Sequence, residues 1–259
     1  MKESIIILAG GGPAPGINTV EGTIAKAFMA QGYRVLGLHG GYSGLFSASP
    51  DFVEFNFALA DSIFNRGGSY LQMSRYKPTQ EDFDRYFNLK FFKENNIRLL
   101  VTIGGDDTAS TANRISKFLK EKKYPVQNIH VPKTIDNDLC VTDHTPGFGS
   151  AAKYVACTTM EIIYDAKIYN SPSVTIIEVM GRDAGWLTAA TSLAKNDYCC
   201  GPDLIYLPEV PFNTEVFVND LSRLLKTKTN IVVAVSEGIR DASGQYISAS
   251  TGTLDNFGH

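Results

Sequence analysis

The sequence predicts an α/β protein with mostly parallel β-sheet, and two features support this fold class. Short β-branched runs alternate along the chain with longer segments of helical periodicity. The short runs are almost continuously apolar, which is typical of parallel strands covered by helices on both faces. Strands that alternate with helices imply right-handed crossovers and an α/β sandwich.

Six strands and six helices are predicted in this way. The predicted strands are Ser4–Ala9, Tyr33–His39, Arg98–Ile103, Val126–Val131, Ser173–Val179 and Ile231–Val235. The predicted helices are Ile17–Gln31, Glu81–Asn95, Thr108–Lys122, Ser150–Ile168, Ala184–Lys195 and Thr214–Lys226. Because ligands bind beyond the carboxyl ends of parallel strands, the loops after the strands are where a site is expected.

Composition excludes several classes of protein. The 259 residues are 44% hydrophobic and 20% charged, which is enough for a real core. With 24 basic and 27 acidic residues the net charge is −3, so the basic excess of a nucleic-acid binder is missing. No apolar run approaches the roughly 20 residues of a membrane span, and the first apolar segment is too short for a signal peptide. We expect a cytoplasmic protein with reduced cysteines and no zinc site.

The loop after the first predicted strand has the composition of a phosphate cradle. It reads GGGPAPGIN over residues 10–18 and leads directly into a predicted helix. Consecutive glycines let the backbone approach a ligand closely, and the helix supplies unpaired N–H groups and the positive end of its dipole. A tight strand-to-helix turn with no ligand is the alternative.

The loop after the third predicted strand reads GGDDT over residues 104–108. Asp107 or Thr108 alone would suffice to cap the following helix, which is the structural alternative. Two adjacent carboxylates on a glycine turn are instead typical of a magnesium site, since hard cations prefer oxygen ligands.

The loop after the fourth predicted strand reads PKTIDNDL over residues 132–139. Phosphoryl transfer needs a base for the acceptor, a cationic clamp and a positioned metal, and this loop holds side chains of each type. In an extended segment Asp136 and Asp138 would lie on the same side. A polar loop with Asx turns is the alternative.

Two later loops add candidates for binding the phosphoryl acceptor. EVMGRDAGW (residues 178–186) places Arg182 beyond a strand, where its planar guanidinium suits phosphate. SEGI (residues 236–239) places Glu237 at another strand end, where a carboxylate can accept from sugar hydroxyls. If one parallel sheet carries all five loops, they converge on one edge.

Together these motifs, with TPGFGSA at residues 145–151, resemble the phosphofructokinase family from Ile5 to the C-terminus. The PKTIDND and EVMGR segments are its most specific parts. The resemblance implies two α/β sandwich lobes with mostly parallel sheets and an active site in the cleft between them. It assigns residues 1–138 to a lobe that binds the phosphoryl donor and magnesium, and residues 139–259 to a lobe that binds fructose 6-phosphate.

The resemblance also implies roles at the phosphoryl-transfer centre. Asp136 matches the general base that takes the proton from the sugar 1-hydroxyl, and Thr134 and Asp138 match residues that support this geometry. Arg182 matches a residue that faces the transferring phosphate, and Lys133 is expected to stabilise the donor.

Contacts to the two substrates follow from the same resemblance. On the sugar side, Met180 and Glu237 match side-chain contacts and Gly181 matches a backbone contact. On the donor side, the matching residues are Gly12, Arg75, Asp106, Asp107 and Thr108, with Asp106 expected to bind Mg²⁺.

The residues at two positions resemble those of the pyrophosphate-dependent branch of the family. Asp107 and Lys133 each replace a glycine that is typical of ATP-dependent bacterial members, and Pro13 replaces an aspartate of their first loop. Two negative charges about 4 Å apart cost roughly 4 kcal/mol at an effective dielectric constant of about 20. An Asp107 carboxylate at the α-phosphate position would therefore weaken ATP about a thousandfold. Lys133 is expected to pair with Asp107 or to reach pyrophosphate itself.

The sequence departs from the family in two places. Pro172 and Ser173 stand where many members carry a histidine and an arginine, so the contact to the sugar 6-phosphate is left unassigned. Family chains are generally longer, and LDNFGH (residues 254–259) resembles a mid-chain segment, so we expect an incomplete C-terminal lobe.

Three alternatives accompany the expected reaction, which is reversible transfer from pyrophosphate to fructose 6-phosphate by a homodimer. One is an ATP-dependent 6-phosphofructokinase, and another is a non-catalytic regulatory subunit of the same fold. Lipid and dinucleotide kinases share a GGDG-type loop, but they lack the PKTIDND and EVMGR motifs.

Overall fold

The computed structural model describes residues 2–248, which hold eight β-strands, nine α-helices and one 3-10 helix. The chain divides into two units between Thr134 and Ile135, slightly before the predicted boundary at residue 138. Each unit has its own sheet. The LDNFGH segment lies outside the described residues.

The first unit is built on a five-stranded sheet in the order β3-β2-β1-β4-β5. All neighbouring strands are parallel except β2 and β3, which pair antiparallel. The strands are β1 (Ser4–Ala9), β2 (Arg34–Leu38), β3 (Phe52–Glu54), β4 (Ile97–Gly104) and β5 (Gln127–Pro132). The helices are α1 (Ile17–Ala30), α2 (Gly41–Leu45), α3 (Phe57–Phe64), α4 (Gln80–Arg85), α5 (Leu89–Glu94) and α6 (Asp106–Glu121).

The central strand β1 is buried on both faces because its side chains alternate between two hydrophobic clusters. Ile6 and Leu8 belong to one cluster and Ile5 and Ile7 to the other. This two-sided burial is what the continuous apolar run predicts for a parallel strand.

The second unit is built on a three-stranded, fully parallel sheet in the order β6-β8-β7. Its strands are β6 (Ser173–Val179), β7 (Leu204–Tyr206) and β8 (Asn230–Ser236). Its helices are α7 (Phe148–Ala166), α8 (Trp186–Ala190), a 3-10 helix (Thr191–Ala194) and α9 (Thr214–Leu224). None of the helices within residues 2–248 has both the length and the apolar character needed to cross a bilayer.

The predicted α/β class with mostly parallel sheet is confirmed, but two predicted helices are each divided. The helix predicted over Ala184–Lys195 is α8 followed by the 3-10 helix. The helix predicted over Glu81–Asn95 is two helices, because the Asn88 side chain accepts the N–H of Phe91 at 2.9 Å and starts a new helix. The five loops do not follow one sheet. Three follow β1, β4 and β5 in the first unit, and two follow β6 and β8 in the second.

Candidate active site

Two cationic side chains converge on the glycine loop after β1. Lys133 is buried, with 7% of its surface exposed, and its ammonium donates a hydrogen bond to the carbonyl oxygen of Gly12. The Arg75 guanidinium approaches the same residue, since a Cβ on Gly12 would lie 3.4 Å from Arg75 Nη2. Positive charge from two distant segments therefore meets at this loop, which favours an anionic ligand.

The first two loops also pack on each other through Thr108. Its side chain is buried between Gly10 and Gly104, and a Cβ on Gly10 would lie 2.8 Å from Thr108 Oγ1. The Thr108 carbonyl accepts the hydroxyl of the buried Tyr42 at 2.7 Å. Packing between the two loops therefore requires glycine at both positions. The buried Thr108 side chain separates the loop after β1 from the loop after β4.

Helices α1 and α6 both begin beside these loops with a glycine as N-cap residue. Gly16 precedes α1 and Gly105 precedes α6, and glycine has no side chain that could accept the first N–H groups of the helix. Both helices are long, and the N-termini of such helices favour phosphate. The alternative in which Asp107 or Thr108 is the N-cap residue is wrong, because α6 begins at Asp106.

Asp106 and Asp107 occupy the first turn of α6, and both are exposed. Asp106 Oδ1 accepts the N–H of Asp107 at 2.8 Å. Asp107 Oδ2 forms an ion pair with Lys77 Nζ at 2.7 Å. Lys77 is absent from the sequence prediction.

The residues present fit a magnesium ion that also binds the donor. Within residues 2–248 no group of three or more acidic, histidine or cysteine side chains is arranged to hold a metal ion by itself. Mg²⁺ is commonly held by one or two carboxylates together with substrate phosphates and water. Asp106 supplies such a carboxylate, and oxygens of the phosphoryl donor and water would complete the coordination of the ion.

His130 fixes the strand ends that carry two of the loops. The Gly104 carbonyl accepts hydrogen bonds from the Lys133 N–H at 2.9 Å and from His130 Nε2 at 3.0 Å. Since a carbonyl only accepts, Nε2 carries the hydrogen and Nδ1 accepts the Thr102 hydroxyl at 2.9 Å. Burial lowers the pKa of His130, which keeps this neutral form.

In the second unit, Glu237 and Gly181 are joined directly. Glu237 Oε1 accepts the N–H of Gly181 at 3.0 Å, and the Glu237 N–H donates to the Val179 carbonyl at 2.9 Å. The buried Ser236 hydroxyl donates to the Gly181 carbonyl at 2.6 Å. The loops after β6 and β8 thus form one hydrogen-bonded unit, as adjacent parallel strands allow.

The loop with the two predicted aspartates turns back on itself. Asn137, between them, has φ of 57°, so the extended geometry expected for Asp136 and Asp138 is wrong. Its buried side chain donates to the Asp143 carbonyl at 3.2 Å and accepts the Thr145 N–H at 2.8 Å. Asn137 therefore closes the loop by bonds to residues six and eight positions later, which is not an Asx turn, with Asp136 half-buried and Asp138 exposed on either side.

Ile135 anchors this loop to the core of the second unit. It packs against a cluster that contains Phe148, Ala152 and Val179. Met180 directly follows Val179, a member of this cluster at the end of β6, and Asp136 directly follows Ile135. Thr134, the last residue of the first unit, is half-buried.

The remaining predicted acceptor residues follow β6. Met180 is 53% exposed and Arg182 is half-buried. Asp183, next to Arg182, is exposed and forms an ion pair with Arg240. Ser173 begins β6 and its hydroxyl accepts from Asn230 Nδ2 at 3.1 Å, so this position, where the sequence departs from the expected pattern, makes a structural contact.

Each unit thus holds its own group of candidate residues. In the first unit, Lys133 and Arg75 approach Gly12, Thr108 packs between Gly10 and Gly104, and Asp107 pairs with Lys77. In the second unit, Gly181 and Glu237 are in contact. Lys77 and His130 were missed by the sequence prediction because their contacts join residues far apart in the chain.

Comparison with protein families gives a match over almost the whole chain. The model for the family described as phosphofructokinase matches residues 4–255. The pyrophosphate–fructose 6-phosphate 1-phosphotransferases of Xanthomonas campestris and Rhodospirillum rubrum are 37% and 36% identical to this chain, over 99% and 95% of its length. An ATP-dependent 6-phosphofructokinase of Chloroflexus aurantiacus is 34% identical over 100% of it.

The chain spans less than two-thirds of the first two relatives, 63% and 61% of their lengths. Among solved structures, the pyrophosphate-dependent phosphofructokinase of Nitrosospira multiformis is similar with a TM-score of 0.80 and 32% identity. That alignment covers 94% of this chain and 62% of the other.

Proposed function

Because the chain belongs to the phosphofructokinase family, we propose that it transfers a phosphoryl group from pyrophosphate to the 1-hydroxyl of fructose 6-phosphate. The products are fructose 1,6-bisphosphate and phosphate, and the reaction is reversible. The proposal includes a dependence on Mg²⁺, a role in glycolysis, a cytoplasmic location and a dimeric enzyme.

The convergence of Lys133 and Arg75 on Gly12 is the observation that carries the proposal. Asp106 and Asp107 are exposed on the neighbouring loop, which packs on Gly10 through Thr108. Two cations at a glycine loop suit a compact, highly charged donor. The carboxylate of Asp107 disfavours a further phosphate at the same place, which a nucleotide would bring.

The chemistry assigned to this chain's residues is proton transfer and charge stabilisation. Asp136 accepts the proton of the sugar 1-hydroxyl while the hydroxyl oxygen forms the new P–O bond. The bridging P–O bond of pyrophosphate breaks and releases phosphate. Thr134 and Asp138 support the geometry of Asp136, and Lys133 and Arg182 stabilise the negative charge on the phosphoryl group. Bound Mg²⁺, held by Asp106, would neutralise charge on the donor.

The acceptor half of the proposal uses the linked loops of the second unit. Glu237 is held by Gly181 with its carboxylate at the end of β8, where it can accept from sugar hydroxyls. Met180 offers an exposed apolar surface beside it. The sequence similarity to relatives named as fructose 6-phosphate phosphotransferases supports the choice of this sugar.

Turnover in both directions tests the proposal. The purified protein should form fructose 1,6-bisphosphate from pyrophosphate, Mg²⁺ and fructose 6-phosphate, and should form pyrophosphate from fructose 1,6-bisphosphate and phosphate. Removal of Mg²⁺ with a chelator should stop both reactions. Sugar binding without turnover with any donor would instead favour a non-catalytic phosphofructokinase-like subunit.

ATP as the donor is the second candidate, and two observations favour it. Relatives named ATP-dependent 6-phosphofructokinase align with the full chain. In addition, the Asp107 side chain is 63% exposed and paired with Lys77, so its repulsion of a nucleotide is weaker than an isolated charge would give.

A further inference from the structure

A short segment, Ser74–Pro78, is fixed at both ends beside the candidate donor site. At one end the Ser74 carbonyl accepts the N–H of Gly11 at 3.0 Å. At the other end the Pro78 carbonyl accepts Arg114 Nη1 at 2.6 Å, and Arg114 belongs to α6. The segment is therefore tied to both the glycine loop and the helix that carries Asp107.

This segment presents two cations to the donor site. Arg75 approaches Gly12, and two residues later Lys77 Nζ lies 2.7 Å from Asp107 Oδ2. The Lys77 and Asp107 side chains are 68% and 63% exposed, so the pair faces solvent. Exposed ion pairs contribute little to stability, and this pair therefore has no evident role in holding the fold together.

We propose that Lys77 is a donor-specificity residue that acts on the phosphoryl donor through Asp107. Its ammonium offsets the carboxylate next to the pyrophosphate position, so that Asp107 rejects a nucleotide without also rejecting pyrophosphate. When Asp107 is replaced by glycine, the same ammonium is left to attract a nucleotide phosphate. This inference rests on the proposed function, and it assigns a role to a lysine outside the motifs of the sequence.

Kinetics with both donors test the proposal on four proteins: the wild type, K77M, D107G and the double variant. Removing Lys77 alone leaves Asp107 unpaired, so KM for pyrophosphate should rise about fivefold while kcat changes little. D107G should raise kcat/KM for ATP, and adding K77M should lower that gain about fivefold. K77R, which keeps the positive charge, should retain the wild-type KM for pyrophosphate.

Lys90 supplies the matched control. It is an exposed lysine of the first unit paired with Glu94 at 3.6 Å, remote in sequence from the donor loops. K90M should leave the kinetics with both donors unchanged. The midpoint of urea unfolding should be the same for K77M and K90M, which shows that the K77M effect is not a loss of folded protein.

Two results would overturn the proposal: K77M kinetics equal to those of K90M, or a double variant that uses ATP as well as D107G does. Calorimetric titration of pyrophosphate separates this failure from failure of the proposed function. If the wild type binds pyrophosphate but does not turn it over, the function is wrong. Weaker binding by K77M than by K90M would still support Lys77, and equal binding would refute it.

Discussion

Glu237 Oε1 accepts a hydrogen bond from the backbone N–H of Gly181 at 3.0 Å, which ties the end of β8 to the turn after β6. Both residues are candidate sugar contacts, so the hydrogen bond fixes the Glu237 carboxylate relative to the Gly181 backbone. Because Gly181 is buried, an N–H that loses this acceptor is not readily satisfied by water.

Replacing Glu237 should therefore weaken sugar binding specifically. E237A should raise KM for fructose 6-phosphate about tenfold, and E237Q, which keeps an oxygen acceptor, should have a smaller effect. KM for pyrophosphate should stay constant in both. Steady-state kinetics with each substrate varied in turn measure these constants.

Glu209 gives the control for this prediction, since its Oε1 accepts the N–H of Gly185 at 2.7 Å in the same unit. E209A removes a similar bond outside the candidate sugar contacts. It should leave KM for the sugar unchanged. An equal rise of KM in E209A and E237A would mean that Glu237 acts only through the fold.

Asp136 should be essential for turnover because it is the proposed proton acceptor. D136N should lower kcat by about a thousandfold, the size typical of losing a general base, with KM for the sugar changed only a few-fold. Asp143, an exposed acid in the same loop, provides the control, and D143N should retain full kcat. A D136N enzyme with most of its kcat would remove Asp136 from this role.

Lys133 should bind the donor rather than the sugar, because its buried ammonium contacts Gly12. K133M keeps the length of the side chain without its charge, and should lower kcat/KM for pyrophosphate about a hundredfold, as expected for a buried charged hydrogen bond. KM for fructose 6-phosphate should not change. K117M, at an exposed lysine on α6, is the comparison variant, and equal losses in both would contradict the prediction.

Glu21 should make stability depend on pH near neutrality. The residue is fully buried on α1, and burial raises its pKa to about 7 against hydrogen bonds from Ser69 and Leu71. Since the folded protein holds this proton more tightly than the unfolded chain, the stabilisation is complete below pH 4.5. It is lost as pH rises through about 7.

E21Q removes this titration, so at pH 8 its free energy of unfolding should exceed that of the wild type by up to about 3 kcal/mol. At pH 4 the two proteins should differ little. Urea unfolding across this pH range measures the difference, with E121Q as a control at an exposed carboxylate. Parallel curves for the wild type and E21Q would show that Glu21 does not titrate as stated.

Local pattern was sufficient to predict the main elements of the fold. Strands β1 and β6 have the predicted bounds because each is a run rich in β-branched residues that begins at a serine and ends just before a glycine turn. Short elements such as β3 and β7 escaped prediction, since three residues carry no periodicity and these strands are fixed by pairing with β2 and β8.

The candidate site was predicted in its residue types but not in its contacts. The Asp107–Lys77 pair spans thirty positions of chain, so no local pattern indicates it. The positive φ of Asn137 likewise depends on its bonds with Asp143 and Thr145. Because Lys77 and solvent both weaken the Asp107 charge, we expect Asp107 to weaken ATP by about tenfold rather than a thousandfold.

The identity of the phosphoryl donor is the central claim, and kcat/KM measured for pyrophosphate and for ATP tests it most directly. The wild type, at saturating Mg²⁺ and fructose 6-phosphate, should prefer pyrophosphate by at least about tenfold, and D107G should raise kcat/KM for ATP by a similar factor. A wild-type enzyme that prefers ATP, with D107G leaving that preference unchanged, would contradict the account.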